Sequence, residues 1–111
     1  MNSKPAIAVL MVVLATVGME VAAAEAIQPY LPDGWISVGV AVSVRHLAAT
    51  PVGMAVTARA EVIAVDERTI TFAVEAYDER EKIGEGTHVR APVELARFQQ
   101  RLAQKAARDI G

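Results

Sequence analysis

Glu20 is a carboxylate set in an apolar stretch. Nearly every residue from Ala6 to Met19 is apolar, and Val21-Ala22-Ala23-Ala24 follows it. A carboxylate in such surroundings is costly unless it has a partner or a task, and one suitable task is general base catalysis. Thr16 lies four residues earlier, on the same face if the segment is a helix. Its hydroxyl could serve a reacting centre or bond back to its own helix. His46 ends an alternating run that begins at Ile36. A histidine beside a carboxylate can relay protons or be held in one tautomer. The bland readings are a Glu20 paired with Arg45 or Arg59 and a His46 satisfied inside the core. His88 follows Gly84 and Gly86 and reads as structural. Arg90 suits a bidentate phosphate contact or is an ordinary surface arginine. Two histidines on separate strands do not make a metal site, and Trp35 reads as packing.

The elements that would position these groups must come from 111 residues, enough for one domain with a real core and no second domain. Cysteine is absent, which excludes disulfides, thiolate metal sites and a thiol nucleophile. Eleven basic and thirteen acidic residues give a net charge of -2, and no basic run suggests a nucleic-acid surface. The hydrophobic fraction is 53% with only 5% aromatic, so Ala and Val carry it. That surplus of small apolar residues hints at a buried subunit interface.

The apolar N-terminal segment has two readings. Lys4, an apolar middle and Ala22-Ala23-Ala24 have the form of a secretory signal cut after Ala24. A membrane span is disfavoured, because Glu20 interrupts the stretch. Alternatively, Ala6 to Ile27 form a helix that starts near Pro5 and is buried on most sides. Pro29, Pro32, Asp33 and Gly34 then make a turn. From Ile36 the period becomes two, with Val38, Val40, Val42, Val44 and His46 on one face and Ser37, Gly39, Ala41, Ser43 and Arg45 on the other. A turn at Thr50-Pro51-Val52-Gly53 leads to a second strand from about Met54 to Val65, with Val56, Ala58, Ala60 and Val62 inward. A third strand spans Thr69 to Tyr77. The charged stretch Asp78 to Lys82 reads as a hairpin loop, and a fourth strand spans Ile83 to Val93. Glycines 84 and 86 inside it mark a bulge or a close backbone approach. An amphipathic helix closes the chain, from Val93 or Glu94 to about Ala107. An antiparallel sheet with one apolar face must cover that face, and only the first helix is apolar enough to do so. This favours the buried helix over the cleaved signal.

The segment Ser37 to Gly53, above all Arg45-His46-Leu47-Ala48-Ala49-Thr50-Pro51-Val52-Gly53, resembles the fluoroacetyl-CoA thioesterase-like branch of the hotdog superfamily. The turn Pro29-Tyr30-Leu31-Pro32-Asp33-Gly34 and the strand Ile83-Gly84-Glu85-Gly86-Thr87-His88-Val89-Arg90 match as well, so the resemblance covers roughly residues 9 to 98. It implies an α+β hotdog fold, an antiparallel sheet wrapped around a central helix, with a C-terminal helix added. It also implies hydrolysis of acyl-CoA thioesters in a dimer with its sites at the subunit interface. The family's catalytic glutamate maps to Glu20 and its histidine to His46. Its threonine maps to Val12, which keeps the shape without the hydroxyl. Thr16, one turn on, is a candidate replacement. The backbone N–H of Gly39 maps to the donor near the acyl group. Members usually open with a strand before the central helix, and here the chain starts almost at the helix.

The expectation is therefore a single domain over 1–111, cytoplasmic, a homodimer or tetramer, that hydrolyses a small acyl-CoA. CoA belongs to the substrate, with no separate cofactor, no metal, no nucleic acid and no membrane. Glu20, His46 and Thr16 form the catalytic set, and Gly39, Val12 and Arg90 contact the substrate. The rival is a non-catalytic hotdog protein that binds acyl-CoA or only assembles, favoured by Val12 and the missing first strand.

Overall fold

The structure, a computed structural model, describes the backbone over residues 4–110 and the side chains over residues 15–107. Helix α1 (Lys4–Ile27) comes first, followed by a 3-10 turn (Gln28–Tyr30). The strands are β1 (Trp35–His46), β2 (Thr57–Val65), β3 (Ile70–Tyr77) and β4 (Lys82–Glu94), and helix α2 (Leu95–Ile110) closes the chain. The four strands form one antiparallel sheet in the order β1-β4-β3-β2. The expected elements are all present. β2 starts at Thr57 rather than Met54, because Met54 N–H closes the turn onto the Pro51 carbonyl at 3.3 Å.

Ala15, Met19 and Ala23 recur every fourth residue and form the buried stripe of α1. They pack on alternate residues of β3, namely Ile70, Phe72, Val74 and Ala76, and on Ile83 of β4. Phe72 and Ala76 are fully buried. The helix is largely apolar apart from Lys4, Thr16, Glu20 and Glu25, yet among its described side chains only this stripe and its flanks meet the sheet. Val17 and Val21, on the opposite side, are 49% and 48% exposed. Burial on most sides is thus not achieved within the single chain, because a one-layer sheet can cover only one face of a helix.

β1 departs from the expected alternation. Its register against β4 slips between Gly39 and Ala41, leaving Val40 as an extra residue. A bulge of this kind reverses which side chains point to each face. Val42, Val44 and His46 lie opposite His88, Gly86 and Gly84 and keep the expected helix-side face. Before the bulge the parity is inverted: Ser37 and Gly39 take the helix side, and Val38 and Val40 do not. Two small residues therefore face the helix where two valines were expected, and the space beside them is open to larger groups from β4. β2 carries a second slip, at Ile63. Gly86 meets the expected close approach, since a Cβ there would collide with the Ser43 carbonyl of β1.

On the other face, Arg45 bonds Glu85 at 2.6 Å, and Lys82 bridges Glu85 at 3.0 Å and Glu75 at 2.7 Å. Tyr77 Oη donates to Glu75 at 2.7 Å. Glu75 and Glu85 are direct cross-strand partners, so Lys82 offsets a like-charge pair. Thr50, from the turn after β1, donates to Asp78 at 3.0 Å and so ties that turn to the β3–β4 hairpin. Among the described residues no helix is long and apolar enough to cross a membrane.

Candidate functional site

The seam between α1 and β1 holds most of the candidate residues. Thr16 and Glu20 lie one helical turn apart on the flank of α1 that faces β1, and neither is fully exposed. At one end of the seam, Gly39 sits in a narrow gap. A Cβ built on it would lie 3.3 Å from His88 Cε1, 3.7 Å from Arg90 Nη1 and 3.8 Å from Glu20 Oε2. A carboxylate from the helix, a guanidinium and an imidazole from β4 and a bare backbone from β1 therefore converge there. The inverted parity of β1 makes this possible, because it turns a glycine rather than a valine toward the helix.

Arg90 and His88 are held by a continuous set of hydrogen bonds. Arg90 Nε donates to Ser37 Oγ at 2.8 Å and Nη2 donates to the Ser37 carbonyl at 2.8 Å. Nη1 lies 3.0 Å from His88 Nε2, and His88 Nδ1 lies 2.9 Å from the Ala41 carbonyl. A carbonyl and a guanidinium leave one arrangement: His88 is the Nδ1–H tautomer, donating to Ala41 and accepting from Arg90. Arg90 is 9% exposed and His88 2%. Burial lowers the guanidinium pKa, and the nearby Glu20 charge opposes that shift. Removing either partner would strand the other with an unmet polar group in the core.

Arg90 thus lies inside the chain, under the helix flank, and its guanidinium is engaged by Ser37 and His88. That placement is at odds with a contact to a solvated ligand phosphate. His88 has the structural role expected of it, and its i, i+2 spacing from Arg90 on the helix face of β4 brings both to Gly39. Ser37 escaped sequence reasoning, since simple alternation put it on the opposite face.

The other end of the seam is a small cleft lined by Ala15, Thr16, Met19, Val44, Arg45, His46 and Gly84. His46 and Thr16 are brought together here, and His46 is exposed in the single chain. No hydrogen bond or ion pair among the described residues joins Glu20 to His46, nor Glu20 to Arg45 or Arg59. Val12 belongs to α1, but its side chain lies outside the described residues. Among the described residues no three His, Asp or Glu are placed to hold a metal ion.

The gap at Gly39 brings a carboxylate and a buried guanidinium to a bare stretch of backbone. The cleft adds an imidazole and a hydroxyl. A base, a proton carrier and oxyanion donors are the parts an ester or thioester hydrolase needs.

Comparisons with known proteins agree with this fold. The model of the fluoroacetyl-CoA-specific thioesterase family matches residues 4–96. The chain is 44% identical over 87 residues to a fluoroacetyl-CoA thioesterase of Streptantibioticus cattleyicolor, a match covering 78% of this chain and 63% of that protein. It therefore spans somewhat less than two thirds of that relative's length. A solved fluoroacetyl-CoA thioesterase structure superposes with a TM-score of 0.75 at 44% identity, covering 78% of this chain and 64% of that one. A thioesterase superfamily member from Thermus thermophilus gives 0.80 at 29% identity, covering 84% and 69%. A hot-dog-like protein from Thermanaerovibrio acidaminovorans gives 0.69 at 27% identity, covering 74% and 61%. The four antiparallel strands laid against α1 are the hotdog fold, and the chain belongs to the fluoroacetyl-CoA-specific thioesterase family.

Proposed function

We propose that this protein hydrolyses a small acyl-CoA thioester at the α1–β1 seam. The observation that carries the reading is the approach of the Glu20 carboxylate to the exposed backbone of Gly39, beside buried Arg90. Glu20 activates water, the Gly39 N–H supports the developing oxyanion, and the buried Arg90 guanidinium lies beside them. His46, in the cleft at the other end of the seam beside Thr16, completes the proposed catalytic set as a proton carrier. Val12 stands where the family resemblance places a threonine, and Thr16 supplies the hydroxyl one turn further along. Such a hydrolysis uses only protein groups and water, so CoA enters as substrate and no resident cofactor takes part.

The working form in this reading is a homodimer. β1 is an edge strand whose run from Ile36 to Val44 carries no charge, and Val40 and Val42 are 58% and 43% exposed. An apolar, uncharged edge of this length is a pairing surface. A second copy there would cover His46 and close the seam. CoA thioesters are made and consumed inside cells, and the cytoplasm is accordingly the proposed location.

Glu20→Gln and His46→Ala should each lower kcat for acyl-CoA cleavage by at least about 100-fold, the scale of a lost general acid or base. Free thiol released from a short acyl-CoA panel reads this directly. Thr16→Val separates the two roles of that hydroxyl: activity falls if it serves the reaction and holds if it only bonds back to α1.

A further inference from the structure

The nucleotide end of a CoA thioester carries several phosphate charges, and a site at Gly39 leaves open which cations meet them. Among the described side chains outside α2, every cation but Arg68 of the β2–β3 turn is committed elsewhere. Arg45 and Lys82 are ion-paired, Arg59 and Arg80 lie in the fields of Glu75 and Asp78, and Arg90 is buried. Helix α2 differs. Arg97, Arg101 and Lys105 recur every four residues, so they form one stripe along the helix. All three are exposed, and no acidic group among the described residues pairs with them.

The charge distribution is as lopsided as the stripe. α2 holds Arg97, Arg101, Lys105 and Arg108 against Asp109 alone, a surplus of three positive charges. The whole chain carries -2, which leaves the remainder at -5. The helix also has a recess of about 340 Å³ lined by Arg97, Gln100, Arg101 and Gln104. Arginine gives phosphate two parallel donors, and the glutamine amides can both donate to and accept from a base or ribose.

The position is suitable. α2 begins where β1 and β4 end, with Leu95 N–H donating to the Gly34 carbonyl at 2.9 Å and Trp35 opposite Glu94. Gly39, opposite Arg90, lies four residues along the same strand pair from Trp35, about 13 Å from the start of α2 at the usual rise, and the stripe runs on from there. A pantetheine arm bridges such a span.

We propose that the Arg97–Arg101–Lys105 stripe of α2 receives the phosphate groups of CoA while the thioester lies at Gly39. This rests on the acyl-CoA reading above, and the test separates the two. CoA binding is measured by calorimetry on the full chain and on an Arg97→Gln/Arg101→Gln/Lys105→Gln variant. Glutamine keeps helix propensity, and far-UV circular dichroism checks that α2 persists. Arg101→Gln alone serves as a milder variant, and Arg59→Gln/Arg68→Gln/Arg80→Gln controls for net charge. The triple stripe variant should bind CoA roughly tenfold or more weakly, raise KM for acyl-CoA and leave turnover of an acyl-pantetheine unchanged. Arg101→Gln should fall between it and the wild type. Unchanged CoA affinity in the stripe variants, an equal loss in the control, or no CoA binding by the wild type would overturn the proposal. Stripe-dependent CoA binding without acyl-CoA cleavage would uphold it and sink the hydrolase reading.

Discussion

Gly39 is placed for the proposed reaction by what it lacks. Its missing side chain admits the Glu20 carboxylate, the His88 ring and the Arg90 guanidinium to one point on β1. Even a methyl group would press on His88 Cε1, and a branched side chain would displace all three groups. Gly39→Val should therefore cost about 1–3 kcal/mol of stability, as overpacking does. It should also lower kcat/KM far more than the lost stability implies. Thermal unfolding and CoA release, measured on the same variant, check both halves. A variant with wild-type turnover would remove Gly39 from the site. Glu20 and His46 became candidates through the family resemblance, since a carboxylate in an apolar helix and a histidine at the end of an alternating strand have bland readings of their own. The grouping of Ser37, His88 and Arg90 was not legible in the chain. It depends on a single extra residue at Val40, and alternation alone has no signal for that.

The sheet is held from its outer face by a chain of charges running through β1, β4 and β3. Lys82 and Arg45 hold the Glu85 carboxyl below its ordinary value of 4.5, and Lys82 and Tyr77 do the same for Glu75. The bond to Glu75 also raises the Tyr77 hydroxyl, and Glu75 and Glu85 together raise Lys82. The signs set the pH window. Depressed carboxylates add stability above their ordinary range and lose it as pH falls through their folded values. Raised Tyr and Lys groups add stability below their ordinary range and lose it as pH rises through theirs. These groups are only part-buried, about a third exposed for Lys82, Glu75 and Glu85, so the effect is modest and screened by salt. The wild type should be more thermostable than Lys82→Met at neutral pH. That advantage should shrink as the pH drops below 4.5, and also in about 1 M salt, where the screening length is only about 3 Å. A constant difference across the titration would show that Lys82 acts by packing alone. The element order and the sheet were readable from period and turn residues. The burial of α1 was over-read, because a mostly apolar sequence states what a helix can tolerate and not what covers it.

At the scale of the whole molecule, one sheet face is packed, one edge strand is uncharged from Ile36 to Val44, and one helix carries the surplus positive charge. A single chain leaves Val17 and Val21 on α1 and Val40 and Val42 on β1 in water. Light scattering after size exclusion should give twice the 11.8 kDa chain mass, and Val40→Glu should shift it to the monomer. A wild type that runs as a monomer at micromolar concentration would contradict pairing through β1. The central claim, thioester hydrolysis by Glu20 at the Gly39 gap, is tested most directly by one assay. Free CoA released by the purified wild type is followed across short acyl-CoA esters, beside Glu20→Gln. Release by the wild type, and its loss in the variant with CoA affinity unchanged, is the predicted result. Binding of acyl-CoA without release, or equal release by both proteins, would contradict it.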